Sequence, residues 1–345
     1  MLFNKKGISS KNLENVIGKI RKAIFLWDIP SLNMLERITI VKTFLLSKLW
    51  FITTFIKINL QKIKEINLLV FRFIWNSKIE LVKRETLILP YENGGMNMFH
   101  LESRLKTVSL QTYLYIRKNY NRDFYQLSIK WLKFHLRDLG LKNFNLIPFG
   151  DDKEIPKVYH YMIECQNEFK NYDKIFFKKN YTSKKTYEFY RKPYEIKSKR
   201  EAEYKNINWV EVYNKINNKS LGSNLRVLNY KIFNEALNLN IKLSSKLGEQ
   251  CVFCERHTET RDHLFVECLF TKKMFENISQ KLRNKKVFNK LDLILNLNVD
   301  DRDVKIISIF KMSIWSLRNL IKKERKKNCE KEIIFKKILN RNFNS

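Results

Sequence analysis

The chain has 345 residues, enough for two or three domains, and its 44% hydrophobic content allows a packed core. Its 67 Lys and Arg residues against 35 Asp and Glu residues give a net charge of +32, far above what solubility requires. Such an excess indicates a polyanion partner, and nucleic acid is the first candidate. The alternative is the codon bias of an AT-rich genome, but that bias exchanges Arg for Lys and does not easily remove acidic residues. The most apolar stretch, 44–56, is too short to span a membrane.

The first third of the chain has few helix-breaking residues and many apolar residues at helical spacing, which predicts helices there. Only 8 Gly and 5 Pro residues occur in the whole sequence. The apolar spacing predicts helices over 11–29, from an N-cap at Ser31 to about 56, over 61–75 and over 101–118. Between the last two, Thr86–Pro90 predicts a short strand, and Asn93-Gly94-Gly95 predicts a sharp turn.

The remainder divides into a basic middle and a second helical region. Residues 119–205 are dense in Tyr, Phe and Lys, which predicts broken helices and long connections. A helical pattern returns at Trp209, and an amphipathic helix is expected over 303–325, with Asp300 and Asp301 at its N-terminus, where the helix dipole favours acidic groups. The fold class expected is therefore mainly α. We expect a helical domain at 1–118, an irregular basic connector at 119–205 and a helical C-terminal domain at 206–345.

A cysteine cluster lies within that last domain and has metal-ligand spacing. The motif reads Cys-x2-Cys-x8-His-x4-Cys, with Cys251, Cys254, His263 and Cys268 as ligands. Four such ligands fit a closed tetrahedral zinc site, which has no open position for water and is structural. His257 is an alternative third ligand. A hydrophobic Cys pair with a core His is the competing interpretation, but the clustering favours zinc over 251–268.

The cysteines also bear on the compartment. Five cysteines, of which Cys165 and Cys329 lie apart from the cluster, do not form a disulfide framework. This usage is typical of a reducing compartment, so we expect an intracellular protein of the cytoplasm and nucleus. No signal peptide is visible after Met1, because no apolar run follows it.

Several segments, taken together and in order, resemble the C-terminal part of a LINE-type (non-LTR) retrotransposon reverse transcriptase. They cover about two thirds of the chain. The segments that resemble the family's thumb are Trp27, Leu35-Glu36-Arg37-Ile38, Lys48-Leu49-Trp50, Phe73-Ile74-Trp75-Asn76 and Leu89-Pro90-x3-Gly94-Gly95-Met96. Those that resemble its zinc-binding region are Trp209-x3-Tyr213, the four ligands, and Glu259-Thr260-x2-His263-Leu264-Phe265-x2-Cys268.

The resemblance implies a thumb-like helical domain over 1–118 that packs against a template–primer duplex. Cations on or beside its helices would then contact phosphates without reading sequence; they are Lys57, Lys62, Lys64 and Arg72. It also implies a palm and fingers before the thumb. Since this chain begins roughly where the palm would end, we expect a fragment, a decayed copy or a partial reading frame.

A second basic stretch lies in the connector, where aromatic residues alternate with cations. Such interleaving is typical of single-stranded nucleic-acid binding, with bases stacked on rings between phosphate contacts. The alternative is a solvated linker. The candidate contacts are Lys184, Lys185, Arg191, Lys192, Lys197 and Arg200, with Tyr181, Tyr187, Tyr190 and Tyr194 among them.

A polymerase centre is not expected. Phe149-Gly150-Asp151-Asp152 mimics the aromatic-x-Asp-Asp turn of reverse transcriptases, but it is followed by a poor strand and falls after the thumb, so we interpret it as a surface turn. The leading hypothesis is a zinc-stapled fragment that binds RNA and DNA. We expect no membrane partner, and we expect the fragment to act with the rest of a retrotransposon polyprotein. Two alternatives remain open: a subunit completed in trans by a palm-bearing polypeptide, and a zinc-stapled protein-interaction module.

Overall fold

The computed structural model is mainly helical, which confirms the predicted fold class. It divides into two compact units, each described by itself below. The structure describes residues 3–4, 7–8, 11–119, 128–129, 131–132, 156–172, 181–192, 201, 206–240, 249–283, 289–324 and 330–344.

The first unit comprises Met1–Leu32, Glu36–Glu80 and Met98–Ile196. It opens with a two-stranded antiparallel ribbon, β1 (Phe3–Asn4) and β2 (Gly7–Ile8). Its helices are α1 (Lys11–Leu26), α2 (Met34–Ile40, which starts at the edge of the unit), α3 (Ser47–Thr53), α4 (Leu60–Trp75), α6 (Leu101–Lys118), α7 (Lys157–Tyr172) and α8 (Ser183–Arg191).

Helix α4 shows why the predicted helices of this unit form where they do. The Asn59 side chain accepts a hydrogen bond from the Lys62 amide and caps the first turn. Asn76 ends the helix in the left-handed conformation at φ 48°, which Asn tolerates better than most residues. The apolar stripe from Ile63 to Ile74 is buried. The prediction of a helix over 61–75 is therefore confirmed, as is the one over 101–118.

The long helix expected after Ser31 is interrupted. Helix α2 begins at Met34, and Asn33 Oδ1 accepts from the Leu35 amide at 3.0 Å, so Asn33 and not Ser31 provides the capping oxygen. A π-helical turn at Val41–Leu45 then separates α2 from α3, with the Leu46 amide donating to Val41 O at 2.9 Å. The extra residue in this turn shifts the face that α3 buries.

A buried arginine holds the turn between α1 and α2. Arg37 is 1% exposed, although its place in a polar-looking motif suggests a surface residue. Its guanidinium donates to Ile29 O at 2.9 Å, Leu32 O at 3.2 Å and Phe73 O at 3.2 Å. These bonds join the turn between α1 and α2 to the last turn of α4, so Arg37 has a structural role in this unit.

The helices α6, α7 and α8 enclose an aromatic cluster in the first unit. Phe169 of α7 contacts Phe189 and Tyr181, each at 4.9 Å between ring centroids. Tyr190, which is 4% exposed, donates through its hydroxyl to Cys165 O at 2.5 Å. The described parts of the predicted connector are therefore mostly helical, and several of their residues contribute to a core.

The second unit comprises Asn33–Leu35, Leu81–Asn97 and Lys197–Ser345. It contains a 3-10 turn at Tyr91–Asn93 and a π-helical turn at His263–Glu267. Its helices are α5 (Arg84–Ile88), α9 (Trp209–Ile216), α10 (Ser223–Phe233), α11 (Leu269–Ser279), α12 (Lys290–Leu295), α13 (Asp301–Glu324) and α14 (Lys331–Asn344).

The strand expected at Thr86–Pro90 is wrong, because these residues lie mostly in the helical turn α5. A five-residue apolar run fits a buried helical turn as well as a strand. The turn expected after it is present, with Gly94 at φ 77°. A Cβ on Gly94 would lie 2.5 Å from Tyr213 Cε1, and one on Gly95 would lie 2.0 Å from Leu89 O. Both positions therefore exclude any side chain.

Helix α13 is the longest element of the second unit and packs against α10, α11 and α14. Asp300 Oδ1 accepts from the Asp303 amide at 2.7 Å, which confirms the acidic cap expected at this N-terminus. Helix α14 was not predicted. Within the described residues, no helix is both long and apolar enough to cross a membrane. The division at 118 and 205 stays a prediction, since 120–127 and 202–205 lie outside the described residues.

Candidate metal centre

The first two predicted ligands lie on a short hairpin. Gln250 and Thr258 form an antiparallel bridge, and the Cys251 amide donates to His257 O at 2.8 Å. The chain turns back through the Glu255 amide, which donates to Cys251 O at 2.9 Å. Glu255 itself has φ 55°. The tight turn brings Cys254 to the same side as Cys251, as expected for a Cys-x2-Cys pair.

The other two ligands frame the π-helical turn His263–Glu267. The Thr260 hydroxyl accepts from the His263 amide at 3.1 Å and caps the start of this segment. At its end the Cys268 amide donates to His263 O at 2.8 Å. Cys268 then occupies the N-cap of α11, where the unpaired amides of a helix favour a negatively charged sulfur.

The structure brings all four predicted ligands together. One donor atom from each of Cys251, Cys254, His263 and Cys268 lies within 4.8 Å of the others. The Sγ atoms of Cys251 and Cys268 are 4.0 Å apart, and Cys254 Sγ is 3.3 Å from His263 Nε2. Three sulfurs and one imidazole nitrogen are the donor set of closed zinc sites. The residues therefore fit the metal that the spacing predicts.

His257, the alternative third ligand, is placed less favourably than His263. Its Nδ1 atom is 3.8 Å from Cys254 Sγ, and its side chain is exposed. His263 is only 7% exposed and belongs to the cluster of mutually close donor atoms, whereas His257 does not. The two rings lie 5.2 Å apart, so His257 flanks the site.

The buried thiols of Cys251 and Cys268 form a hydrogen bond between their sulfurs, which are 4.0 Å apart. The hydrogen bond from Cys251, together with the amides of Phe270 and Thr271, lowers the pKa of Cys268 to about 5. The same bond and burial raise the pKa of Cys251 far above its usual range. Because a bound cation replaces such protons, metal binding here would release them.

Below the hairpin lies a buried ion pair that sequence reasoning missed. Glu259 is fully buried and Arg318 of α13 is 3% exposed. Arg318 Nη2 donates to Glu259 Oε1 at 2.6 Å and to Asn238 O at 3.1 Å. The Asn240 amide donates to the same carboxylate oxygen at 2.9 Å. The pair thus fixes the second strand of the hairpin to the longest helix of the unit.

Helix α14 supports the other side of the hairpin. Lys331 Nζ donates to Val252 O at 3.3 Å and to Phe253 O at 3.0 Å, the two carbonyls between the cysteines. Phe253 and Phe265 are buried, as expected for a small module core. Phe270 lies 4.8 Å from the Phe253 ring and extends this core towards α14.

The four cations predicted on the first unit have different environments. Lys64 and Arg72 are exposed on one face of α4, and neither pairs with an acidic residue within the described ranges. Lys62 binds Glu14 at 2.6 Å and Glu65 at 2.9 Å, and these carboxylates raise its pKa. Lys57 binds Glu164 at 2.9 Å and lies over the Tyr161 ring. Lys64 and Arg72 are therefore the cations best placed to reach phosphates.

The candidate contacts of the second basic stretch differ in exposure, and only some of them lie within the described residues. Lys184, Lys185 and Lys192 are exposed, whereas Arg191 is 8% exposed and lies over the Tyr187 ring. Lys197, Arg200, Tyr194 and the Asp151-Asp152 pair lie outside the described residues.

Three tyrosines of this stretch lie within the described residues, and all three pack into the protein. The Tyr187 hydroxyl accepts from the His100 amide at 2.9 Å, and Tyr181 and Tyr190 belong to the aromatic cluster of α6, α7 and α8. These three rings serve as core residues, so the interleaved pattern reflects helix packing at these positions.

Comparison with known families places the cysteine cluster in a recognised segment. Residues 181–275 match the family described as zinc-binding in reverse transcriptase. The matched segment contains all four cluster residues and covers between a quarter and a third of the chain. No curated protein matches the chain significantly. The chain thus carries a reverse-transcriptase-associated region with a Cys/His cluster suited to zinc.

Proposed function

We propose that this chain is a zinc-stapled, nucleic-acid-binding part of a LINE-type retrotransposon reverse transcriptase. Its role would be to hold RNA template and DNA primer during target-primed reverse transcription. The observation that carries the proposal is the Cys251, Cys254, His263 and Cys268 cluster inside a segment that matches the zinc-binding region of reverse transcriptases.

The proposed zinc is structural. Four protein donors fill a tetrahedral shell and leave no position for a reacting water. The ion would join the hairpin at 250–258 to the N-terminus of α11, in addition to the contact between Phe253 and Phe270. In this way zinc would hold the module in one shape without taking part in chemistry.

The proposed nucleic-acid contacts are to phosphates and do not depend on sequence. A net charge of +32 supports a polyanion partner. The exposed cations on α4 and α8, chiefly Lys64, Arg72, Lys184 and Lys185, are the proposed contacts. Polymerisation is assigned to a palm elsewhere, so the purified chain should not extend a primed RNA template with dNTPs. Such extension would contradict this part of the proposal.

The first experiment joins metal content to RNA binding. Bound zinc is quantified in the purified chain, and a structured RNA is titrated at two salt concentrations. We expect one zinc per chain and an affinity that falls steeply as salt rises. The double variant Cys251→Ser/Cys254→Ser should lose the zinc, while Cys165→Ala, which changes a buried cysteine of the first unit, should retain it. Absence of zinc in the parent chain would refute the proposal.

A second experiment uses the different environments of the α4 cations. The double variant Lys64→Gln/Arg72→Gln should weaken RNA binding and reduce the slope of log affinity against log salt by about two. The matched control is Lys62→Gln, because Lys62 is already neutralised by Glu14 and Glu65. Equal effects of both variants would remove α4 from the proposed interface.

A second candidate function is supported by exposed apolar side chains on the first unit. Phe25 is 82% exposed, Leu26 75% and Phe51 68%. Large exposed apolar groups are typical of protein–protein contacts. Under this alternative, zinc and helices form a platform for a protein partner. A chain that binds zinc but shows no salt-dependent RNA binding would favour it.

A further inference from the structure

An open cavity of about 780 Å³ lies in the second unit, away from the cysteine cluster. Its lining comes from the 3-10 turn Tyr91–Asn93, from α9 and the loop that follows it, and from the first residues of α10 and α13. This volume is within the usual range of small-molecule sites and exceeds that of one nucleobase.

The position of Tyr91 at this cavity is fixed by the glycine turn that follows it. The 3-10 turn packs against α9, and neither Gly94 nor Gly95 has room for a Cβ. The Arg226 guanidinium carbon lies 5.3 Å from the centroid of the Tyr91 ring. The cavity wall therefore presents a phenol ring and a planar cation, two groups on which nucleobases stack.

Two polar atoms at this wall are buried and have no hydrogen-bond partner among the described residues. Asn217 is 7% exposed; its Nδ2 donates to Tyr213 O at 3.3 Å, but its Oδ1 accepts nothing. Arg226 Nε likewise lacks an acceptor. Buried polar atoms are normally paired, so the two lining residues offer one acceptor and one donor that a ligand can satisfy.

The charges of the lining decide which ligand fits. Glu92, Glu211 and Asp301 line the cavity alongside Lys215, Lys219 and Arg226. An isolated phosphate would meet these carboxylates and has no donor for Asn217 Oδ1. An uncharged planar group with donors and acceptors on one edge satisfies both atoms, and a nucleobase is such a group. Lys219 is exposed and is suited to the phosphate beside that base.

We propose that this cavity takes a single unpaired nucleobase of a bound RNA or DNA strand. The inference rests on the proposed nucleic-acid binding and adds a base-contacting site to it. Tyr91 and Arg226 stack on the base, while Asn217 accepts from its edge. Phosphate contacts elsewhere supply sequence-independent affinity, and this cavity gives preference for single-stranded over fully paired segments.

The test compares two single strands of equal length and phosphate number, poly-deoxyadenosine and an abasic strand. Binding to the full zinc-loaded chain is measured by fluorescence anisotropy. We expect the base-bearing strand to bind roughly tenfold more tightly, as stacking of one base implies. Tyr91→Leu and Asn217→Leu should abolish this preference and leave abasic binding unchanged, which also shows that the variants are folded. Tyr115→Ala, an exposed tyrosine of the first unit, should keep the preference.

Three outcomes overturn the inference. Equal binding of the two strands by the parent chain removes the base site and leaves phosphate binding intact. A preference that survives in both Tyr91→Leu and Asn217→Leu assigns base contact to another surface. Absence of binding to either strand contradicts the proposed function as well, so the two failures are distinguishable.

Discussion

In the first unit, α6, α7 and α8 close over Phe169, Phe189, Tyr190 and their apolar neighbours. In the second unit, the hairpin at 250–258 is held instead by convergent ligand atoms and by the buried Glu259–Arg318 pair. The first arrangement gains stability from apolar area removed from water. The second places charges in the interior, which is tolerated only while each charge keeps its partner.

The difference matters for how each region responds to damage. An apolar core loses stability in proportion to the side chain removed and to the cavity that remains, and partial relaxation of the neighbouring groups reduces that loss. A network of ligands and ion pairs fails more abruptly, since removal of one partner leaves another buried and uncompensated. The following predictions test this contrast, beginning with the largest effect.

Removal of zinc should unfold the cysteine module and leave the aromatic cluster of α6, α7 and α8 folded. Apparent binding free energies for structural zinc are about 10–16 kcal/mol in small domains, so the module cannot retain its shape without the ion. Hydrogen exchange before and after chelation measures the effect. We expect loss of protection over 249–268 and α11, with α6 unchanged. Loss in both regions would mean that they unfold together.

Breaking the buried pair should be the next largest effect. Arg318→Met leaves the Glu259 carboxylate buried without its cation, which should lower the free energy of unfolding by about 3–5 kcal/mol. Denaturant unfolding of zinc-loaded protein measures this. The control is Glu259→Leu/Arg318→Leu, which removes both charges and should be less destabilising than Arg318→Met alone. A double variant that is destabilised as much as Arg318→Met, or more, would contradict the uncompensated Glu259 charge as the cause of the loss.

The same contrast separates what the sequence could predict from what it could not. The bounds of α4 and α6 and the four Cys/His ligands follow from spacing along the chain, which is local information. The pairing of Glu259 with Arg318 and the burial of Arg37 depend on distant partners that no spacing reveals. The strand predicted at Thr86–Pro90 is wrong for a different reason. A run of five residues is too short for its periodicity to distinguish a helical turn from a strand.

A buried lysine should make the second unit sensitive to pH. Lys311 of α13 is 2% exposed and donates to Asn296 Oδ1 at 2.8 Å; burial lowers its pKa to about 7. Above that pH the unfolded chain, with a lysine pKa near 10.4, binds a proton that the folded chain has released. The free energy of unfolding should therefore rise by up to about 1.4 kcal/mol per pH unit above the folded pKa, and this added stability is lost as the pH falls back to about 7.

The measurement is urea unfolding of zinc-loaded protein at several pH values between about 7 and 9. Lys311→Met should flatten the pH dependence, whereas Lys305→Met, which changes an exposed lysine of the same helix, should preserve it. Parallel curves for the parent chain and Lys311→Met would mean that Lys311 stays protonated when folded.

The smallest effect is expected in the aromatic cluster of the first unit. Tyr190→Phe removes a hydroxyl that donates to Cys165 O but keeps the ring, so it should lower the free energy of unfolding by about 0.5–1.5 kcal/mol. Thermal unfolding with Tyr115→Phe as an exposed control checks this. A loss as large as that of Arg318→Met would erase the contrast between the two regions.

The distance along the chain between Glu259 and Arg318 has a consequence for synthesis on the ribosome. All four Cys/His side chains emerge before Arg318, which follows Glu259 by 59 residues. During that interval the Glu259 carboxylate has no cation to accompany it into the interior, so it remains hydrated and the hairpin stays accessible. The module therefore reaches its final packing only after α13 has been translated, and truncation within that helix would release a nascent chain with its cysteines exposed to oxidation.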